Sequence, residues 1–306
     1  ILSLGAPRNA QGKMLTTHDL ALVATEEITK RFADLPYLEF ASRYAIGKLL
    51  WELGDLKNAK IQLEQSLEVY DSLGHERRTS HWLLTSLAYS KVLLDLGDSV
   101  NAKEIVQAVI ERSIVEYGLE SEKVLKAKNL LSEILGFSFD HEGALDLLRE
   151  IVDAIDAGVS VSHEFDLDAR VGLAGALYVS HMLSGAGEGT RPLLEESLQM
   201  IEQLLPTINE DLGALHPISI DARMILASCL TYDMRIEESV PILGQVYEDA
   251  TKIYGPNHYK TAEAAGSLGT IYFFRGIPES ESLLREAIKI YTEVLGTNHP
   301  SGINFR

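Results

Sequence analysis

Residues 46–55 read IGKLLWELGD, and a second segment, residues 90–98, reads SKVLLDLGD. The glycines of the two segments are 43 residues apart, and an alanine follows five residues after each of them, at Ala59 and at Ala102. A pattern that returns at such a period is typical of a solenoid, in which supersecondary units stack on one another. The sequence therefore predicts a repeat protein, and proteins of this architecture usually bind ligands along an extended surface.

A second marker confirms the spacing further along the chain. It is a glycine followed three residues later by a histidine, and it places His216, His258 and His299 at steps of 42 and 41 residues. We interpret these histidines as linker residues whose rings form hydrogen bonds and pack between repeats.

The apolar spacing predicts helices throughout, and no segment shows the sustained alternation of a β-strand. A lead-in and N-terminal helix occupy residues 1–37, with Thr16 or Thr17 as the helix cap and Asp19 in the first turn. The repeat array takes residues 38–306. The predicted repeat cores are 38–72, 80–117, 123–157, 168–204, 218–254 and 260–295.

In five of the six predicted repeats, a small residue at one position of the first helix predicts a close approach of the two helices, with bulky neighbours such as Leu50 and Leu93 filling the groove. The small residues are Gly47, Ser90, Ser132, Ala227 and Gly269. Gly54-Asp55 and Gly97-Asp98 provide a left-handed turn and then the N-cap of the next helix.

Composition limits the classes of partner. The chain has 306 residues, 27 basic and 45 acidic, and a formal net charge of −18. Such a charge argues against nucleic acid and against insertion into an anionic membrane surface. It permits a basic peptide or protein partner, although such a charge more often serves only to keep a surface soluble.

Other features of the sequence exclude a disulfide framework and a membrane span. The single cysteine, Cys229, lies in an apolar helical run and is interpreted as a buried, inert thiol. No apolar run approaches the roughly 20 residues that span a bilayer, and no complete signal peptide is visible. We expect the sequence to be part of a longer protein, with the array truncated at its C-terminal end.

The small residue, the Leu-Gly-Asp turn and the downstream alanine together resemble tetratricopeptide repeats. The step of about 42 residues and the Gly-x-x-His-Pro linkers at 213–217 and 296–300 resemble the longer kinesin-light-chain type. This resemblance implies an all-α, right-handed superhelical solenoid of about six tetratricopeptide-like helix pairs.

The entry to the array is similar to the segment before the C-terminal repeats of bacterial winged-helix transcription regulators and Ser/Thr kinases. The resemblance rests on residues 6–20, which read APRNAQGKMLTTHDL, and on 32–36, which read FADLP. It implies a sensor region of a signalling protein, with the extracytoplasmic (periplasmic) side of a membrane favoured over the cytoplasm.

Several first-helix positions of such repeats point into a concave groove, and aromatic side chains there suit peptide recognition. By register the predicted ligand-binding residues are Tyr44, Lys48, Trp51, Lys91, Asn129, Glu133, Phe137, Met224, Tyr232, Thr270, Phe273 and Phe274. The competing interpretation is that Trp51, Phe137 and Phe273 pack against the next repeat.

Other candidate sites have plainer explanations. The segment 185–190, which reads GAGEGT, lacks the Lys-Ser/Thr of a phosphate loop and is interpreted as a turn between helices. The nine histidines form no metal-binding motif, although His75 and His81 are loosely spaced as a pair. Acidic pairs such as Glu195-Glu196 are interpreted as solvated charge. Arg77-Arg78 with His81 is either an anion site or an exposed turn.

Taken together, the sequence predicts a non-catalytic recognition or sensor module of a bacterial signalling protein, most readily a transcription regulator. Its ligand is a peptide or protein segment or a small effector, and no cofactor or metal is expected. The alternative is a structural scaffold that mediates homo-oligomerisation, a homodimer for example, or complex assembly. An enzyme whose site is assembled from distant residues is the third hypothesis.

Overall fold

The computed structural model describes residues 16–32, 34–73, 79–185 and 187–295, and the regular secondary structure of these ranges is entirely helical. In chain order a single helix is followed by six helix pairs, which confirms the predicted all-α repeat fold. The helices are α1 (Thr17–Phe32), α2 (Pro36–Glu52), α3 (Leu56–Ser72), α4 (Thr79–Asp95), α5 (Ser99–Tyr117), α6 (Glu122–Phe137), α7 (His141–Asp156), α8 (His163–Leu183), α9 (Arg191–Asp211), α10 (Pro217–Tyr232), α11 (Ile236–Tyr254), α12 (Tyr259–Phe274) and α13 (Ser280–Val294), with a short 3₁₀-helix at Glu188–Thr190.

The chain consists of two compact units, Ile1–Ile105 and Val106–Arg306. Their boundary falls inside α5. None of the described helices is both long enough and apolar enough to cross a lipid bilayer.

In the first unit, α1 begins with a reciprocal cap. The backbone N–H of Asp19 donates to Oγ1 of Thr16 (3.1 Å), and the backbone N–H of Thr16 donates to Oδ2 of Asp19 (2.9 Å). This capping arrangement satisfies two backbone donors that the helix itself leaves unpaired. Of the two threonines predicted as the cap, Thr16 fills the position.

The α2/α3 pair shows why its first helix needs a small residue. A Cβ placed on Gly47 would lie 2.7 Å from Cγ of Leu63, so only glycine allows α3 to approach this closely. Below this contact the buried Arg43 joins the two helices, because its Nη1 donates to Gln62 (2.9 Å) and to Gln65 (2.6 Å).

In the second unit, four helix pairs (α6/α7, α8/α9, α10/α11 and α12/α13) pack along the chain, and each second helix also contacts the first helix of the next pair. The first helices α6, α8 and α10 lie side by side. The core is therefore continuous through this unit, as expected when no repeat can bury its apolar face alone.

Predicted turns between the helices of a pair are confirmed. Gly54 and Gly97 have φ values of 78° and 84°. The side chains of Asp55 and Asp98, which follow them, each accept a hydrogen bond from the backbone N–H three residues later in the chain. In the third and fifth repeats the same turn position holds Phe139 (φ 65°) and Met234 (φ 64°), where a side chain is disfavoured in the left-handed region.

The fourth repeat is longer than the predicted core 168–204. Helix α8 begins at His163 because Phe165 and Leu167 are already buried, and Phe165 packs in a cluster with the α7 side chains Leu148 and Ile151. Helix α9 continues past Pro206 to Asp211, and the fully buried Ile208 packs there against α10.

The linker histidines cap helices, which confirms their structural interpretation for two of the three. Nδ1 of His216 accepts from the backbone N–H of Ile218 (3.3 Å), and Nδ1 of His258 accepts from that of Lys260 (3.1 Å). The ring of His258 is also stacked on Tyr254, with centroids 4.8 Å apart. His299 lies outside the described residues, as do His75, Arg77 and Arg78.

Cys229 is fully buried on α10, and its Sγ lies 3.2 Å from Oγ of Ser197. Burial raises the pKa of this thiol to about 11, so the reactive thiolate is scarcely populated near neutral pH. The interpretation of Cys229 as an inert core residue is confirmed.

Candidate functional site

Side chains of the second unit bridge its successive first helices. Nδ2 of Asn129 on α6 donates to Oδ2 of Asp168 on α8 (3.1 Å), and the rings of Tyr178 on α8 and Tyr232 on α10 meet edge to face at 5.4 Å. These contacts order the surface that the first helices form together.

The predicted ligand-binding residues differ in how much of each is accessible. Lys48, Glu133, Tyr232, Phe273 and Phe274 are exposed, whereas Tyr44, Trp51, Lys91, Phe137, Met224 and Thr270 are partly buried and Asn129 is buried. The prediction that they form one ligand site stays a prediction, because they divide between the two units.

Trp51 is engaged with the next repeat. Its Nε1–H donates to Oδ2 of Asp95 at the end of α4 (2.7 Å), so the packing interpretation applies to this residue. Thr270 is also engaged, since its hydroxyl donates to the carbonyl of Gly266 within α12 (2.7 Å). Met224 packs against buried side chains of α10, α11 and α12.

The C-terminal end of α12 presents two exposed aromatic side chains that are adjacent in the sequence. Phe273 is 64% exposed and Phe274 is 79% exposed, and their rings lie edge to face with centroids 5.7 Å apart. Exposed aromatic side chains in contact with each other are unusual on a monomer surface and are typical of interaction sites.

A cavity of about 380 Å³ opens between the C-terminal ends of α8 and α10 and the segment that precedes α9. Its lining comprises His181, Gly187, Glu188, Arg191 and Tyr232. Apart from Ala186, which lies outside the described residues, the predicted turn at 185–190 connects α8 and α9, and Gly187 and Glu188 form one wall of the cavity.

The protonation of the His181 ring follows from its partners. Nδ1 lies 3.0 Å from both the carbonyl oxygen and Oγ1 of Thr190, and that hydroxyl donates its own proton to the carbonyl of Gly187 (3.2 Å). Both threonine oxygens can therefore only accept, so Nδ1 carries a proton, and in this tautomer Nε2 is the acceptor. His181 is only 3% exposed, which fixes the ring in this orientation.

The Arg191 guanidinium at the cavity rim is held by carboxylates. Its Nε donates to Glu195 (3.2 Å), its Nη2 donates to Asp233, and these interactions raise the pKa of Arg191 above its ordinary value. Next to the cavity, burial and the nearby Tyr232 raise the pKa of Tyr178 well above its ordinary value, so Tyr178 stays a neutral phenol.

The carboxylates of Glu195 and Glu196, predicted as solvated charge, and that of Asp168 are bound to cations or amides. Glu195 pairs with Arg191, Glu196 with Arg149, and Asp168 accepts from Asn129. Within the described residues, no group of three His, Cys, Asp or Glu side chains is arranged to hold a metal ion.

Of these cavity-lining residues, the sequence had pointed to Tyr232 and not to His181, Glu188 or Arg191. The signal that was available is the extra length of the α8–α9 connection, since an insertion into a repeat is often located at the binding face. It does not say which side chains converge, because Tyr232 is 51 residues away from His181 in the sequence.

Comparisons with known proteins agree with this architecture. Residues 40–72 and residues 219–293 each match a family model of the tetratricopeptide repeat, and neither model is that of an enzyme family. No curated protein matches the sequence significantly. The tetratricopeptide part of the predicted resemblance is therefore shown, and the likeness to bacterial winged-helix regulators and kinases stays a prediction.

Solved structures show the same fold at low sequence identity. A Rap protein complexed with competence and sporulation factor has a TM-score of 0.56 and 12% identity, covering 97% of this chain and 87% of that chain. A putative kinesin light chain from Podosopora anserina with nearly identical TPR-like repeats has a TM-score of 0.47 and 19% identity, covering 71% of this chain and 97% of that chain. The TPR2AB domain of yeast Sti1 in a pHSP90 complex has a TM-score of 0.32 and 12% identity, covering 87% of this chain and 95% of that chain. The first of these likenesses establishes the fold alone, and the other two carry no further argument.

Proposed function

We propose that this protein is a non-catalytic recognition module that binds a peptide or protein segment along its first helices. The observation that carries the proposal is the pair of exposed, mutually contacting rings of Phe273 and Phe274 at the end of α12. Aromatic side chains give a large contact area for little loss of side-chain entropy, so they dominate the energetics of many interfaces.

The charge of the molecule supports a basic partner. The formal net charge of −18 attracts a basic segment and speeds its encounter with the surface. One solved structure that shares the fold is described as a complex, that of a Rap protein with competence and sporulation factor.

The experiment that tests the proposal is selection of random 12-residue peptides on phage, followed by affinity measurements with the purified protein. We expect the paired change Phe273→Ser and Phe274→Ser to weaken binding of the selected peptides by at least tenfold. A matched control is Val115→Ser on α5, which removes another largely exposed apolar side chain and should leave affinity unchanged. Equal effects of the two changes would contradict the proposal.

The scaffold alternative is separated by light scattering of the same proteins. A dimer that the change of Phe273 and Phe274 converts to a monomer would assign these rings to self-association, and the scaffold would replace the peptide site. A protein that stays monomeric at all concentrations would remove the support for the scaffold alternative.

We further propose that recognition serves a bacterial signalling protein, in the first place a transcription regulator. The support is the resemblance of residues 6–20 and 32–36 to the entry segments of such proteins, and residues 6–15 lie outside the described residues. Sequencing the parent reading frame tests this: an upstream winged-helix or kinase domain would agree with it, and an upstream region with neither would remove it.

A further inference from the structure

The cavity between α8, α9 and α10 has acceptors for a positively charged group. His181 presents Nε2 as an acceptor, because Nδ1 carries the proton that is donated to Thr190. Among the described residues no hydrogen bond to this Nε2 is found, although the side chain is almost completely buried and lines the cavity. An acceptor at a cavity wall can take a hydrogen bond from a donor that enters the cavity.

The charge around the cavity is negative. Glu188 is an exposed carboxylate in the lining itself, and the one lining cation, Arg191, is already held by two further carboxylates. The second nearby cation, Arg235, is shared in the same way. Arg191 and Arg235 are thus paired with four carboxylates, Glu195, Glu202, Asp233 and Glu238, and Glu188 in the lining is a fifth.

This balance decides between a cation and an anion. The cavity lies before the N-terminus of α9, where an anion would ordinarily be favoured. An anion could take only the N–H groups of Arg191 that Glu195 and Asp233 leave free, and there it would lie near those carboxylates and approach Glu188. A cation meets an unpaired acceptor, a carboxylate and the ring of Tyr232, and an aromatic ring attracts a cation above its face.

We propose that the cavity receives the guanidinium of an arginine side chain carried by the bound peptide. A guanidinium is planar and has five N–H donors, so it can stack on Tyr232 while it donates to Nε2 of His181 and to Glu188. The volume of about 380 Å³ accommodates one such side chain. The inference rests on the proposed function in that it names a peptide as the carrier of this group.

The test uses N-acetyl-arginine amide as the probe in saturation-transfer NMR titrations at physiological salt. N-acetyl-citrulline amide has nearly the same shape without the charge, and N-acetyl-glutamate amide is the anionic comparison. We expect saturable binding of the arginine probe at least tenfold tighter than that of either comparison. Equal binding of the citrulline probe, or preference for the glutamate probe, overturns the proposal.

Variants locate the binding. Glu188→Gln should weaken binding of the arginine probe about fivefold. Its matched control is Glu237→Gln, which removes the same charge from an exposed glutamate that pairs with Arg275 (2.6 Å) outside the cavity lining. Tyr232→Ala should abolish detectable binding while Tyr232→Phe retains it, because the ring and not the hydroxyl meets the cation. Circular dichroism checks that each variant is folded. Equal effects of Glu188→Gln and Glu237→Gln would show only general attraction to an acidic surface and overturn the assignment.

Failure of the arginine pocket can be distinguished from failure of the proposed function. If phage-selected peptides bind through Phe273 and Phe274 and citrulline replaces their arginines without loss, the proposed function stands and the arginine pocket fails. If no peptide is selected and the arginine probe still binds with the expected response to the variants, the pocket stands and the peptide carrier fails.

Discussion

The buried ion pair between Arg223 on α10 and Asp249 on α11 allows a quantitative prediction. Nη1 of Arg223 donates to Oδ2 of Asp249 (2.8 Å), and both side chains are almost completely removed from solvent. Breaking such a pair from one side typically costs about 3–5 kcal/mol, because a buried charge loses its partner. Arg223 would keep two backbone acceptors, the carbonyls of Ala214 (2.6 Å) and Ser219 (3.2 Å), so we expect Asp249→Leu to cost about 3 kcal/mol, the lower end of that range.

The double variant Arg223→Met with Asp249→Leu should recover most of this loss. Replacing a buried pair by apolar residues of similar volume is often close to neutral, so the double variant should lie within about 1 kcal/mol of the native protein. Urea unfolding measures the free energies, and hydrogen exchange in α10 and α11 gives a local readout, since repeat arrays unfold in parts.

An exposed ion pair provides the control for this comparison of single and double variants, which is a double-mutant cycle. Nε of Arg235 and Oε1 of Glu238 are 2.8 Å apart, the same distance as in the buried pair, but the carboxylate is exposed and the arginine is partly exposed. Their cycle, Arg235→Met with Glu238→Leu, should give a coupling of less than about 1 kcal/mol. Equal coupling in the two cycles would refute the argument that burial, and not distance, sets the energy.

The pH dependence of the buried pair has a definite sign. Burial alone would raise the pKa of Asp249, but hydrogen bonds from Arg223 and Gln245 outweigh it and lower the pKa below its ordinary value. Asp249 in the folded state therefore binds its proton only at a lower pH than in the unfolded chain. Its contribution is complete above the unfolded pKa of about 4 and is lost as the pH falls through the folded pKa. The stability difference between native protein and Asp249→Leu should be constant from pH 5 to 7 and shrink below pH 4.

Three further predictions concern turns, caps and the thiol. Phe139→Gly and Met234→Gly should each stabilise the protein by about 0.5–1 kcal/mol in urea unfolding, because glycine relieves the strain of the left-handed backbone conformation. Gly54→Ala should destabilise the protein by about 1 kcal/mol for the same reason. A loss of stability in both glycine variants would contradict this prediction. His258→Ala should cost about 1 kcal/mol by removing the cap of α12, and His258→Asn should restore much of it, which thermal unfolding measures. Cys229 should react with a thiol reagent at pH 8 only after denaturation, since its pKa is about 11 in the folded protein; rapid labelling of native protein would count against a buried thiol.

Most of the fold could be predicted from the sequence because its determinants are local. The turn at Gly54 and Asp55 needs only a left-handed residue followed by a cap, and both requirements can be read from two adjacent letters. The close helix approach at Gly47 is likewise marked by one small residue. The fourth repeat was shortened in the prediction because its ends are stabilised by distant packing, such as that of Ile208 against α10, which leaves no local signal.

The candidate site was less predictable because it depends on side-chain direction between repeats. Register correctly identified Tyr232 as exposed but gave the same role to Asn129, which is buried and bound to Asp168. One residue of register or a slight rotation of a helix decides whether such a side chain faces solvent or the neighbouring helix. His181 could not be found at all, since its accepting nitrogen depends on a hydrogen bond to Thr190 across an irregular connection.

Phe139 and Met234, the two residues other than glycine with a left-handed backbone conformation among the described residues, bear on where the binding surface lies. Phe139 and Met234 are each 78% exposed, and each occupies a turn position where glycine would avoid both the backbone strain and the exposed apolar surface. Local stability therefore does not account for either residue, and departures from local rules tend to occur at functional positions. Both residues follow directly on the C-terminal ends of first helices, the same ends that carry Tyr232 on α10 and Phe273 on α12. Residues nearer the middle of these helices, Asn129 and Met224, are turned toward neighbouring helices. Among the first-helix positions that the repeat register indicated, the exposed apolar surface thus favours those at the turn ends over those nearer the middle.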